Sequence, residues 1–398
     1  MPARDSRPYD ITLLGATGFA GRLTAQHLAR CAPADARWAL AGRSADKLAA
    51  VRDGLAADDP RFADIELSQA DITDQSSLRR LAEQTRVLIT TVGPYVLYGN
   101  AVVAACAAAG TDYLDLTGEP EFVDTTYVRQ HETAQATGAR LVHAAGFDSI
   151  PHDLGALFTV TQLPSDVPLT VAGYLQASAS FSGGTFHSAV TAFSRPRQNM
   201  AARRARRQLE AGSAMSAGRG ERDVRAVLGH PHHSPVGGGW AVPLPTIDPQ
   251  IVIRSARALP RYGPSFRYSH FAAVPNLAVA AGGALGVAAL FGAAQIPPAR
   301  RLVLRRLEPG DGPSAERRAK SWFTVTFVGA GGGEQVITRV SGGDPGYDET
   351  AKMLAESALC LAFDDLPETS GQVTTAVAMG DALIDRLRKA GMGFDVIG

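Results

Sequence analysis

The feature that most constrains the fold lies near the N-terminus, where the apolar run Tyr9-Asp10-Ile11-Thr12-Leu13-Leu14 breaks into Gly15-Ala16-Thr17-Gly18-Phe19-Ala20-Gly21. A helical pattern follows at once, with Leu23, His27 and Leu28 recurring at three-to-four spacing. Strand, glycine turn and helix, in that order, is the context in which a glycine triplet is informative. Gly15 permits a tight turn off the strand, Gly18 lets a ligand approach the backbone, and Gly21 lets helix pack on strand. The start of such a helix offers unpaired N–H groups and a positive dipole end, the elements of a phosphate site. The spacing is GxxGxxG, a variant of GxGxxG, and the bland alternative is a glycine-rich turn in another kind of α/β protein.

The alternation continues downstream. Arg37 to Ala41 reads as a second strand, ending in Gly42-Arg43-Ser44. An acidic residue at this point of a dinucleotide fold takes the ribose hydroxyls. Arg43 and Ser44 instead supply a guanidinium and a hydroxyl, which suit an extra phosphate, so the expected cofactor is NADPH. Further strands are expected at 65–67, 86–92, 113–116 and 141–145, with helices at 45–57, 102–109, 121–137 and from Pro151 onward. Asp71 follows the third strand, on the side where such folds contact adenine. Gly93 and Pro94 turn the chain at the carboxyl end of the fourth, where open α/β sheets bind ligands. Alternation over 9–160 argues for an α/β fold, a Rossmann-type doubly wound parallel sheet.

The pattern changes after residue 165. Strands are expected at 168–181, 250–257, 320–328 and 334–341, with a helix from Gly183 to Phe193 and a polar, basic stretch of helix and loops over 195–239. This describes a second, mainly antiparallel α+β domain over 161–344, for substrate or dimer contacts, after a dinucleotide domain over 1–160. A tail over 345–398 reads as helix at 349–362 and largely as helix over 371–390, and is of a kind that packs back on the first domain. Leu277 to Ala294 is uncharged and long enough to span a membrane. Its glycines and alanines make a buried helix the leading reading, ahead of an interfacial helix and a span.

Lys+Arg and Asp+Glu both number 39, so no global charge draws the chain to nucleic acid. Cys31, Cys106 and Cys360 are far apart and form no CxxC, so neither a disulfide framework nor a metal site is expected. The first ten residues carry no apolar signal core, and a cytoplasmic location is expected.

The segments GATGFAG, AGRS, TTVGPYVLYGNAVVAACAAAGTDYLDLTGEP and HAAGFDSIPHDLG together resemble the saccharopine dehydrogenase-like oxidoreductases. The stretch SGGDPGYDETAKMLAESALCLAFDDLP with GQVTTAVAMGDALIDRL is similar to one branch, the actinobacterial trans-acting enoyl reductases. That resemblance implies a stand-alone NADPH-dependent reductase serving polyketide synthases in phthiocerol- and phenolphthiocerol-type lipid assembly. A Tyr-x-x-x-Lys pair of the short-chain dehydrogenases is excluded, because Arg43, Glu316, Asp348 and Asp385 precede the lysines by four. The expected cleft loops (93–100, 117–121, 147–153 and 180–188) hold neither Lys nor Arg and are rich in Tyr, Phe, Gly and Ser. A multiply charged amino-acid adduct would need several cations, so a long apolar or thioester substrate is expected.

For reduction of an α,β-unsaturated thioester the candidates to hold the enolate oxygen are Tyr95, Tyr98, Ser149 and the amides of 148–150. The candidates to give a proton are Tyr98 and His152. Each has a quieter alternative: Tyr95 and Tyr98 as packing, Asp148 or Ser149 as helix cap, His152 as a satisfied histidine, Glu119 as a ribose or loop partner. The run Arg203-Arg204-Ala205-Arg206-Arg207 is either a solvated helix face or a dock for an acidic acyl carrier domain. Two rival readings remain: an oxidoreductase of the same family acting on another apolar carbonyl or imine, and a lipid-surface protein using Leu277–Ala294.

Overall fold

The computed structural model describes residues 6–178, 183–216, 222–305 and 312–398. The first half alternates β1 (Tyr9–Leu14), α1 (Phe19–Cys31), β2 (Trp38–Gly42), α2 (Ala45–Asp58), β3 (Glu66–Gln69), α3 (Gln75–Glu83), β4 (Thr85–Thr90), α4 (Tyr95–Ala109), β5 (Asp112–Asp115), α5 (Pro120–Thr137), β6 (Arg140–Val142) and α6 (Ile150–Val160). Then come β7 (Leu169–Ser178), α7 (Gly183–Phe193), α8 (Pro196–Ser216), β8 (Asp223–Ala226), β9 (His232–His233), β10 (Trp240–Pro243), α9 (Asp248–Ala258), β11 (Ser265–Val274), α10 (Leu277–Gln295) and α11 (Pro297–Arg305). The chain closes with α12 (Ala315–Arg318), β12 (Trp322–Gly331), β13 (Glu334–Gly342), α13 (Asp348–Phe363), β14 (Gly371–Val373), α14 (Thr375–Ala378), α15 (Gly380–Lys389) and β15 (Gly393–Val396).

The first sheet is parallel throughout, in the order β14-β6-β5-β4-β1-β2-β3. Its central strands are buried on both faces, with Ile11, Leu13, Leu40, Ile89 and Leu114 on one and Leu14, Leu88, Tyr113 and Leu141 on the other. Strand order reverses between β1 and β4, and such a switch point opens a crevice at the carboxyl ends of the strands. The helices are punctuated as the sequence requires. Ser44 caps α2, Asp74 caps α3 by accepting from Ser76 N at 2.9 Å, and α4 and α5 end on Gly110 and Gly138 at φ 69° and 77°. The second sheet runs β15-β13-β12-β7-β11-β10-β9 with β8 beside β11, antiparallel except where β11 runs parallel to β7 and β8.

Two expectations are corrected and strands are added. Residues 250–257 are not a strand but lie in α9, because Pro249 starts a helix whose Ile251, Val252, Ile253 and Ala256 are buried; tertiary burial overrides β propensity. Besides β12, the strand beside β7 is β11, a segment for which no element was expected. The segment 371–390 is largely helical as expected, through α14 and α15, and the tail also supplies two strands: Gly371–Val373 at the edge of the first sheet and Gly393–Val396 at the edge of the second. Finally, α10 is not buried. Leu285 is 71% exposed, and only Ala294 of this helix is buried. The expected strand end at 179–181 lies outside the described residues.

Buried carboxylates tie the parts together. Asp153 on α6 accepts from Thr375 Oγ1 at 2.7 Å and Ala376 N at 2.9 Å, and also from Ser255 on α9. Asp124 on α5 takes Gln250 at 2.8 Å, Arg254, and Arg206 at 3.5 Å. Helix α13 lies along α1, where His27 Nε2 meets Glu356 Oε1 at 2.8 Å.

Candidate active site

The turns after β1 and β4 lie side by side at the switch point. Thr91 N donates to Leu14 O at 3.0 Å and Thr91 Oγ1 to Gly15 O at 3.1 Å. Gly15 holds φ 93°, a conformation that favours glycine. A Cβ on Gly21 would sit 2.2 Å from Gly15 O, so only glycine lets α1 press against the turn. Gly18 has the opposite surroundings: a Cβ there would meet Gly15 O alone, at 3.4 Å. Helix α1 has no side-chain cap and no acid in its first turn. Within the turn, Gly15 N and Ala16 N donate to Ala41 O and Gly18 N to Gly15 O, so the amides left for a pyrophosphate are those of Thr17 and of the first helical turn, Phe19 to Gly21, at the positive helix end. Phe19 packs instead, edge-on to Tyr347 at 4.7 Å and beneath Arg318 at 5.4 Å.

At the end of β2, Arg43 is exposed, and Ser44 accepts from Lys47 N at 3.4 Å, which leaves its own hydroxyl hydrogen to give. Asp71 lies across from Arg43, its carboxyl held below the usual range by Thr73 hydrogen bonds and the Arg43 charge. These groups fit an adenosine carrying an extra phosphate.

Around Gly93 and Pro94 the structure separates the tyrosines. Tyr95 is a core residue: its hydroxyl donates to Thr90 O at 3.2 Å and accepts from Leu116 N at 3.2 Å. With that hydrogen committed, Tyr95 is removed from the enolate donors. Tyr98, on the first turn of α4, is 43% exposed. Glu119 is buried and receives Tyr95 N at 3.0 Å and Val96 N at 2.8 Å, so it caps α4.

Beyond β5 and β6 lies a polar group that the sequence reading missed. Asp115 Oδ2 meets His143 Nδ1 at 2.6 Å, and Asp115 Oδ1 accepts from Thr117 N and Ala144 N, both at 3.0 Å. Ala144 is the sole non-glycine at positive φ among the described residues, at 57°, and Asp115 is what holds it there. The turn it starts delivers Asp148 and Ser149. Asp148 retains some exposure and lies against Gly118 and Gly146. Burial first, then the charges of Asp248, Asp115 and Glu119, push its carboxyl up to about 7. Ser149 is fully buried, and its Oγ has no partner among the described residues. The amides of Ser149 and Ile150 both donate to Gly146 O, at 3.2 and 2.9 Å, so they are not available to a substrate oxygen.

His152, one turn further on α6, is 2% exposed. Its Nδ1 lies 3.0 Å from Asp248 Oδ1, and its ring is 4.9 Å from that of His270 on β11. Burial lowers His270 to about 4. In the arginine run, Arg206 is buried against Asp124 and Glu210 and stacks 3.8 Å over Tyr127, whereas Arg203, Arg204 and Arg207 are exposed with Met200 and Gln208.

Residues 11–142 match the family model of the saccharopine dehydrogenase NADP-binding domain. With the open glycine turn and the switch-point crevice, this defines the chain as an NADP-dependent oxidoreductase that binds NADP(H) on its first domain. A Mycobacterium tuberculosis protein provisionally named a trans-acting enoyl reductase is 40% identical over 415 residues, covering 97% of each chain. The trans-acting enoyl reductases of Mycobacterium bovis and Mycobacterium ulcerans are 36% and 37% identical over 422 residues, again covering 97% of each chain. The chain belongs to the trans-acting enoyl reductase family. The fold is shared with saccharopine dehydrogenase from Saccharomyces cerevisiae at 12% identity and a TM-score of 0.52, covering 98% of this chain and 99% of that one.

Proposed function

We propose that this enzyme uses NADPH to reduce the carbon–carbon double bond of an α,β-unsaturated acyl thioester presented by an acyl carrier domain, in the assembly of phthiocerol- or phenolphthiocerol-type lipids. The observation that carries the reading is the pair at the mouth of β6: Asp148, with its carboxyl at about 7, beside the unpartnered hydroxyl of Ser149. The dinucleotide, when bound, supplies hydride. The amides of Thr17 and of Phe19 to Gly21 bind its pyrophosphate, Arg43 and Ser44 the extra phosphate, and Gly93 and Pro94 wall the crevice. Ser149 Oγ donates to the thioester oxygen as negative charge develops there. Asp148 in its neutral form gives the proton that the α-carbon takes up. Tyr98 lines the entrance without a chemical step.

Two surfaces extend this reading. Arg203, Arg204 and Arg207 form the exposed basic face that an acidic carrier would meet, and Arg206 holds the helix in place. The apolar helix α10 rests on a lipid surface near which long-chain products are made. The test is product analysis with NADPH and the same enoyl chain on a carrier protein and on a small thiol. We expect saturated product from both, with turnover of the carrier form alone falling as salt rises. Turnover of ketones or imines and not of enoyl thioesters would assign the enzyme to the rival carbonyl or imine chemistry.

A further inference from the structure

We infer that His152, Asp248 and His270 form a binding site for one divalent transition-metal ion of the zinc class. Such an ion leaves open which double bond the enzyme reduces, and its charge would offset that of Asp248, one of the groups that raises the Asp148 carboxyl. The sequence carries no sign of it, because the three residues are far apart and folding alone brings them together from α6, the start of α9 and β11.

The three side chains each offer one ligand atom, and these atoms lie within 4.8 Å of one another. All three residues are buried, His152 at 2%, Asp248 at 4% and His270 at 5% exposure. Buried polar atoms are nearly always hydrogen-bonded, and an orphan asks for a cause. Here the orphans converge: both ring nitrogens of His152, Oδ1 of Asp248 and Nδ1 of His270 have no hydrogen-bond partner among the described residues. His152 Nδ1 and Asp248 Oδ1 are 3.0 Å apart but lack the alignment of a hydrogen bond. Two ligands of a four-coordinate zinc stand about 3.3 Å apart, so the pair is already near that spacing.

The outer contacts fix the ligand form. His270 Nε2 lies 3.0 Å from Leu244 O and 2.9 Å from Thr246 Oγ1. A carbonyl only accepts, so Nε2 bears the hydrogen and Nδ1 keeps its lone pair. Thr246 gives its own hydrogen to Asp248 Oδ2, leaving Oδ1 to a ligand role. Metal-bound histidines and carboxylates are held from behind in this way. Two histidines and a carboxylate leave a fourth position open, as in zinc sites with three protein ligands. A second cluster, His27, Cys31 and Glu356, lacks this character, because His27 Nε2 already bonds Glu356 at 2.8 Å.

The test uses the full-length chain produced without a polyhistidine tag and dialysed against metal-free buffer. We expect about one zinc per chain by elemental analysis, and the intense visible bands of four-coordinate cobalt after exchange with Co²⁺. Removing the ion is expected to lower the melting temperature, since it joins α6 to the second domain. Asp248→Asn and His270→Gln, checked for native circular dichroism, are expected to weaken cobalt binding more than about tenfold. His27→Ala is expected to keep it. A folded wild-type chain with no zinc and no cobalt spectrum would show instead a water-filled polar pocket and overturn the proposal. Loss of metal in His27→Ala, with retention in the other two variants, would overturn it as well.

Discussion

Asp148 concentrates the chemistry into one carboxyl. Its surroundings come from four elements: Asp115 ends β5, Glu119 precedes α5, Asp248 starts α9, and burial under the 146–149 turn outweighs them all. The unfolded carboxyl ionises near its ordinary value of 3.8 and the folded one at about 7. The native state therefore holds a proton that the unfolded chain has lost, and stability declines as pH rises through that window. The donor form falls to half at about pH 7 and drains away above it. Turnover is expected to fall on the alkaline side of about 7. Asp148→Asn should remove that limb, cut turnover by about 10²–10⁴-fold and leave NADPH affinity unchanged, read by a pH–rate series and a cofactor titration. An unaltered alkaline limb in the variant would take Asp148 out of the reaction. The sequence placed Asp148 in a turn that also reads as a helix cap, and nothing local distinguishes the two. What separates them is the convergence of Asp115, Glu119 and Asp248, which lie 29 to 100 residues away in the chain. Tyr95 fails for the mirror reason. Its hydroxyl looks available in sequence and is spent on Thr90 and Leu116 in the fold.

At the scale of elements, the glycine turn was legible because its requirements are local. Backbone sterics dictate Gly15 and Gly21, and a neighbouring strand and helix suffice to recognise them. The paired substitutions Gly18→Ala and Gly21→Ala separate what the two glycines do. A methyl on Gly21 would collide with backbone atoms of Gly15 and Ala16, at 2.2 and 2.9 Å, which cannot yield without moving α1. Gly21→Ala is expected to cost about 1–3 kcal/mol of stability by overpacking and to weaken NADPH binding with it. A methyl on Gly18 meets only Gly15 O at 3.4 Å and otherwise stands in open space at the start of α1. Gly18→Ala is expected to keep the melting temperature and still lose affinity. Thermal melts beside NADPH titrations decide this, and equal loss of stability in both variants would refute the division. The elements that were not legible are those whose identity depends on distant partners. α9 is rich in β-branched residues yet helical, and β11 and β14 become strands by pairing with β7 and β6.

For the whole molecule, the topology of the second sheet decides what α10 can do. β11 ends at Val274, α10 begins at Leu277, and β12 follows later in the chain; β11 and β12 both pair with β7. A single crossing of a bilayer by α10 would leave two strands of one sheet on opposite sides. A return crossing would carry Arg300, Arg301 and non-helical backbone through hydrocarbon, which lipid does not accommodate. The helix is nevertheless exposed along its length, at Leu277, Val279, Leu285, Val287 and Phe291. Nineteen residues make a rod of about 28 Å, and arginines follow it at 300 and 301. An apolar rod flanked by cations suits the plane of an anionic lipid surface, with its length parallel to the membrane. The wild-type chain is therefore expected to float with vesicles containing anionic phospholipid. Leu285→Glu with Val287→Glu is expected to stay in solution while keeping its turnover of a soluble thioester. A wild-type chain that ignores vesicles and elutes as a dimer, with the double variant eluting as a monomer, would give this face to a second copy of the chain and not to lipid.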